Sequence, residues 1–279
     1  MTKDILVHIP TERAMKPVID ASISLASFFD ARIEAIAAGY VSANTYVIEG
    51  SSSAAVAAVF EIGQQRATDR AMAALAVFEA EARNAGISYH CRPLVDLPEE
   101  AAASIAAASR LVDLSIVLQP EPGQHPFDST IPIDILLQSG GPVLFVPYIF
   151  RGKFQPRHIG ICWDGSRLAA RALRDAEPFL AKADSFSVIS ANSDLSASSD
   201  ASPEQAVKRL TRYGRPVKLI RYEENRSAIQ PSILSLATDE NVDMLVMGAY
   251  GHSQLQESVL GGVTREMIET MTFPTLMSH

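Results

Sequence analysis

Met244-Leu-Val-Met-Gly248-Ala-Tyr-Gly251-His252-Ser253, followed by Gly261-Gly262-Val263-Thr264-Arg265, is the stretch on which the fold turns. A short apolar run predicts a strand, and Gly248 and Gly251 predict a turn at its carboxyl end. Gly261-Gly262 then opens a segment, Val263 to Met271, whose spacing predicts a helix. A strand end, a loop and a helix start together form a place for an anion. The first N–H groups of a helix have no partners within it, the helix dipole favours negative charge there, and glycine lets the main chain come close to a phosphate. No Gly-Lys-Ser/Thr follows, so this is not a Walker loop, and the glycine spacing is not that of a dinucleotide fingerprint.

Outward from this stretch the chain repeats itself. In the first half, strands are predicted at Ile5–Ile9, Ala31–Tyr40, Ile87–Val95, Leu114–Leu118 and Pro142–Val146. Helices fall between them at Lys16–Phe29, Gln64–Ala85, Pro98–Arg110 and Ile131–Gln138, with Gly86 in the place of a C-terminal cap. The second half follows the same order. Its strands are His158–Trp163, Ser185–Ser190, Val217–Arg221, Met244–Met247 and Pro274–Met277, and its helices Leu168–Leu180, Pro203–Tyr213, Ala228–Glu240 and Val263–Met271. Strict alternation predicts parallel sheets with helices on both faces, right-handed crossovers, and a ligand beyond the carboxyl ends of the strands. The expected domains are residues 1–147 and 157–279, joined by the linker Pro147–Pro156. Val41–Ser53 is a Ser-rich insertion with no counterpart in the second half, and Ser193–Ser202 is a second Ser-rich segment.

Composition limits the functions available. The net charge of −8, with no block of like charge, argues against general affinity for nucleic acid or an anionic membrane, since both need a basic surface. Two cysteines, Cys91 and Cys162, are too few for a disulfide framework or a metal cluster. No apolar run is long enough to span a bilayer, and the first residues run straight into a strand, so a cytoplasmic protein is expected.

The Gly248-x2-Gly251-x9-Gly261-Gly262 pattern, with Asp164-Gly165-Ser166 after the first strand of its half, resembles the universal stress protein (UspA) family. The resemblance extends over nearly the whole chain as two tandem domains. It implies an α/β fold of two Rossmann-like, adenine nucleotide alpha hydrolase-like domains, each a five-stranded parallel sheet with helices on both faces. It also implies pairing of the domains through their last strands and, in one branch, binding of ATP or AMP, with Mg²⁺ as a companion ion. Carried over residue by residue, Asp164 would lie against adenine and ribose, and Gly248 and Gly251 over ribose and phosphates. Gly261 matches the third glycine. Gly262 stands where the family has Ser or Thr, and Thr264 could supply the missing hydroxyl beside the N–H groups of Gly262 and Val263. His252 is a further candidate phosphate donor. Aligned the same way, Pro10 replaces Asp164, Leu118 replaces Gly248 and Glu121 replaces Gly251. The first half is therefore expected to lack such a site and to serve as a built-in partner.

Other chemistry is thinly represented. His158 and Cys162 share one face of a strand without an evident third ligand, and no Gly-x-Ser-x-Gly elbow occurs. Asp239, Glu240 and Asp243 read as a solvated face. Asp164 has two compatible readings, helix cap and ligand contact. Trp163, the only tryptophan, reads as core. Three function classes follow: a regulatory binder of an adenine nucleotide, a slow ATP hydrolase, and an interaction module with vestigial sites. The first is favoured, because a catalyst would need a placed base or metal-binding acid and only Asp164 and His252 offer themselves. The remaining expected partners are a second copy of the chain in a homodimer or a regulatory protein.

Overall fold

The computed structural model describes residues 2–41, 53–121, 126–192, 199–249 and 262–279. Apolar residues that alternate in runs of four to nine form ten strands: β1 (Asp4–Ile9), β2 (Arg32–Tyr40), β3 (Tyr89–Asp96), β4 (Leu114–Leu118), β5 (Val143–Val146), β6 (His158–Cys162), β7 (Ser185–Ala191), β8 (Val217–Tyr222), β9 (Met244–Gly248) and β10 (Thr275–Ser278). They make one ten-stranded sheet in the order β3-β2-β1-β4-β5-β10-β9-β6-β7-β8. Every pairing is parallel except β5 with β10, where the two halves meet antiparallel (Phe145 opposite Thr275, Leu144 opposite Leu276, Val143 opposite Met277). The two expected five-stranded sheets are thus halves of a single sheet. All eight residues of β5 and β10 are buried, so neither strand leaves an open edge.

Helices cover both faces, as a parallel sheet requires. One layer holds α1 (Lys16–Phe29), α2 (Ser53–Asn84), α5 (Arg167–Asp175), α6 (Glu177–Leu180) and α7 (Pro203–Leu210); the other holds α3 (Pro98–Ser109), α4 (Pro126–Gln138), α8 (Ile229–Asp239) and α9 (Val263–Thr270). Each core runs across both halves. At the seam Phe29 meets Phe179 edge to face with centroids 4.9 Å apart, and Lys182 places its ammonium 4.9 Å from the centre of the Phe28 ring.

The internal repeat holds in hydrogen-bonding register. Ile5 stands opposite Leu114 as Ile159 stands opposite Met244. Ile5 also stands opposite Ile33 as Ile159 stands opposite Phe186. These equivalences put Pro10 in the place of Asp164 and Leu118 in the place of Gly248, as the sequence alignment expects. They also expose a pair the sequence reading missed. Asp113 Oδ2 accepts from the N–H groups of Lys3 (2.7 Å) and Asp4 (3.0 Å), and Asp243 Oδ2 accepts from those of Arg157 (2.8 Å) and His158 (2.7 Å). Each aspartate therefore satisfies the N–H groups at the start of its half's first strand. Asp243 is a structural anchor, and the expectation of a purely solvated acidic face is corrected to that extent.

Two helices begin earlier than their periodicity predicts. α2 starts at Ser53 instead of Gln64, because the alanine-rich run before Gly63 has high helix propensity and the turn is not broken at that glycine. α4 starts at Pro126 and carries Pro132 inside it. The segment expected as one helix over Leu168–Leu180 divides at Ala176 into α5 and α6, with Pro178 in the first turn of the second. The insertion after Val41, up to Ser52, lies outside the described residues, as does much of the segment Ser193–Ser202.

Candidate functional site at the carboxyl ends of β6 and β9

In the second half the sheet order reverses at β6, whose neighbours are β7 on one side and β9 on the other. Connections leaving those strands go to opposite faces, so a crevice opens at their carboxyl ends. A cavity of about 570 Å³ lies there, which is within the range of small-molecule sites. Asp164, Gly248, Val263 and Thr264 all border it. Four of the eight residues read as a site from the sequence are therefore brought together. Gly262 immediately precedes them, as the buried N-cap of α9. Gly251, His252 and Gly261 lie outside the described residues.

Each element places its residue for a local reason. Cys162, at the end of β6, gives way to Gly165 at φ +75°, a conformation that favours glycine. The tight turn lets Asp164 Oδ1 accept from the Ser166 N–H at 2.9 Å, while Ser166 Oγ accepts from the Ala169 N–H at 3.1 Å and caps α5. Asp164 thus holds the turn that leads into α5, whose cap is Ser166, and it also borders the cavity. Gly248 ends β9. A Cβ there would fall 2.6 Å from the Ala169 nitrogen and 2.6 Å from the Leu168 carbonyl carbon. Its lack of a side chain is first a packing requirement, since it seats the start of α5 on the sheet. Gly262 is extended (φ −83°, ψ 148°), and its carbonyl accepts from the Glu266 N–H at 3.1 Å. Thr264 is buried in the first turn of α9.

The rest of the wall is largely apolar. Ile189, Ile233 and Met247 contribute to it, and Tyr222 adds a phenol whose hydroxyl donates to the Ile229 carbonyl at 3.2 Å. Asn192, at φ +45°, joins the ends of β7 and β8: its amide donates to the Glu224 carbonyl (2.7 Å) and its oxygen accepts from the Glu224 N–H (2.8 Å). The sequence reading did not include Asn192 or Tyr222. The signal available was an asparagine and a tyrosine at two consecutive strand ends. Trp163 is core, as expected. Its indole N–H donates to the Ala201 carbonyl at 2.9 Å, and part of its ring borders the cavity. Arg265 pairs with Glu269 at 2.8 Å along α9. Burial pushes the Cys162 thiol up to about 12, with the Asp164 charge adding to the effect. Burial likewise raises Tyr222, with smaller contributions from Cys162 and Glu224. His158 bonds Ser187 Oγ at 2.9 Å, and among the described residues no group of three His, Cys, Asp or Glu side chains is placed to hold a metal ion.

The equivalent place in the first half is built differently. Leu118, buried, takes the position of Gly248. Arg13 is buried beside it and donates from Nη1 to the Gln119 carbonyl at 2.8 Å. Thr11 Oγ1 donates to the Ala38 carbonyl at 2.8 Å, which draws the β1–α1 connection over the strand ends.

An α/β sheet with a crevice at its switch point is shared by a broad class of ligand-binding proteins. Comparison with known proteins narrows it. Residues 156–279 match the model of the Universal stress protein family. The Universal stress protein MJ0577 of Methanocaldococcus jannaschii is 40% identical over 45 residues, which are 16% of this chain and 28% of that protein, so the chain spans little more than a quarter of that relative's length. A universal stress protein from Archaeoglobus fulgidus has a similar solved structure, with a TM-score of 0.72 at 16% identity, covering 98% of this chain and 95% of that one. A functionally unknown protein from Pseudomonas aeruginosa is similar at a TM-score of 0.58 and 16% identity, covering 99% of this chain and 92% of that one. Residues 156–279 are thus similar to the universal stress protein family, and the likeness of fold extends over both halves. No helix among the described residues is long and apolar enough to cross a membrane.

Proposed function

We propose that the chain is a stress-response protein whose second domain, residues 157–279, binds an adenine nucleotide, ATP or AMP, as a regulatory ligand. In this reading the first domain, residues 1–147, is its permanent structural partner and carries no such site. The observation that carries the proposal is a single cavity bordered both by Asp164 and by the first turn of α9, with Ile189, Ile233 and Met247 in its wall. A base suits the apolar part of this cavity, a ribose hydroxyl suits the Asp164 carboxylate, and phosphates suit the first N–H groups of α9 with the Thr264 hydroxyl. Mg²⁺ would accompany a triphosphate there. In the first half a buried Leu118 stands at the position of Gly248 and a buried Arg13 bonds the adjoining Gln119 carbonyl, which supports assigning binding to one half only.

Isothermal titration with ATP and AMP, each with and without Mg²⁺, tests the reading. Binding of one nucleotide per chain is expected. Asp164→Ala should weaken it, and Gly251→Glu, which copies the first half's own residue, should abolish it. Absence of heat and of thermal stabilisation with every nucleotide would end the proposal in favour of a nucleotide-independent interaction module.

A further inference from the structure

The longest helix is only partly used by the core. On α2 the buried residues are Ala67, Ala71, Ala74, Leu75, Phe78 and Ala82, which form one stripe against β2 and β3. The opposite side is exposed and contains large apolar residues: Val59 is 37% exposed, Ile62 52%, Met72 56% and Val77 49%. Charged side chains would normally occupy such a face. The exposed positions 59, 62, 66, 69, 73, 76 and 80 alternate steps of three and four residues, which is the a/d spacing of a coiled coil, and they face away from the sheet. No element of the described chain packs on this side.

We propose that this face is a docking surface for a second copy of the same chain, with two α2 helices packed antiparallel about a two-fold axis between Ala67 and Thr68. Such an axis pairs each residue with a mate of complementary size or charge. Ile62 faces Ala73 of the other copy, and Val59 faces Ala76. At the centre Arg66 faces Asp69, twice. Large residues on the first half of the helix thus meet small ones on the second, which lets two backbones approach closely. The self-complementarity belongs to this one register: a shift by one turn in either direction loses the Arg66–Asp69 match, and in one direction it also sets Ile62 against Asp69 or Arg70. A central charged layer in an otherwise apolar seam fixes register and orientation in coiled coils. An isologous interface of this kind closes at two chains and leaves the junction between β5 and β10 untouched.

Sedimentation equilibrium of the full chain at concentrations up to about 100 μM should show a dimer that dissociates on dilution. Arg66→Asp sets aspartates against each other at the centre, and Asp69→Arg sets arginines against each other. Each variant alone should be at least tenfold weaker in self-association, with an unchanged far-ultraviolet circular dichroism spectrum. Mixing the two variants restores both pairs, so the mixture should form a heterodimer as stable as the wild-type dimer. Ile62→Lys should abolish association in every combination. A monomeric wild-type protein over this range would overturn the proposal. So would single variants that dimerise normally, or a mixture that fails to associate.

Discussion

At the scale of single residues, two glycines that look alike in the sequence have reasons that differ in kind. Gly165 is required by its positive φ, whereas Gly248 is required by the backbone of α5 pressed against it. Gly248→Ala should therefore destabilise the fold by about 2 kcal/mol even without ligand, as read by urea unfolding. A loss of nucleotide affinity in that variant would not by itself locate the phosphates. Thr264→Val is the more specific probe. It removes a hydroxyl from the first turn of α9 and should weaken nucleotide binding by about tenfold, close to the worth of one hydrogen bond, in titration calorimetry. Cys162 provides a pH test. Its folded thiol is raised from 9.0 to about 12, so the proton stays on in the folded state while the unfolded chain loses it. That stabilising contribution is complete below pH 9 and is lost as the pH climbs toward 12, and Cys162→Ala should flatten this part of a stability–pH profile. The same protonated thiol should react sluggishly with thiol reagents at pH 8.

Among the elements, α2 shows how one close approach sets a helix. A Cβ on Gly39, in β2, would fall 2.0 Å from the Ala67 carbonyl oxygen. Only glycine lets the helix lie this near the sheet, and the alanines of its buried stripe serve the same approach. Gly39→Ala should cost about 3 kcal/mol and shift the thermal midpoint accordingly, because the clash is with main chain that has nowhere to move. A neutral Gly39→Ala would show that α2 rides higher on the sheet than described. The strand-start aspartates act on the same scale. Asp113 and Asp243 each hold two N–H groups of a first strand, so the two halves share a device as well as a topology.

At the scale of the molecule, the antiparallel junction of β5 with β10 joins the two repeats into one sheet, and the aromatic contact of Phe29 with Phe179 reinforces it. Folding should therefore be a single cooperative event. Fluorescence of Trp163, which reports on the second half, should change together with the circular dichroism of the whole chain in denaturant. Leu276→Ala, a buried residue of β10 at the junction, should lower that one transition by about 3 kcal/mol. Two separated transitions would show that the halves fold independently. Nucleotide at about a hundred times its dissociation constant should raise the stability of the whole transition by roughly 2.7 kcal/mol.

Alternation of short apolar runs with periodic helices was enough, from the sequence, to establish the α/β class, the repeat and its alignment, since those patterns reflect local geometry and which face is buried. The glycine pattern and the family resemblance it carries pointed to Asp164, Gly248, Val263 and Thr264, and these four border one strand-end crevice of the kind where ligands gather in such sheets. Other features depended on contacts between distant residues. Only the tertiary structure decided that Gly248 is a packing glycine, that Asp243 anchors β6, that Asn192 and Tyr222 complete the cavity wall, and that α2 keeps an apolar face turned outward. Burial and close approach are properties of two segments at once, and the sequence states each segment only by itself.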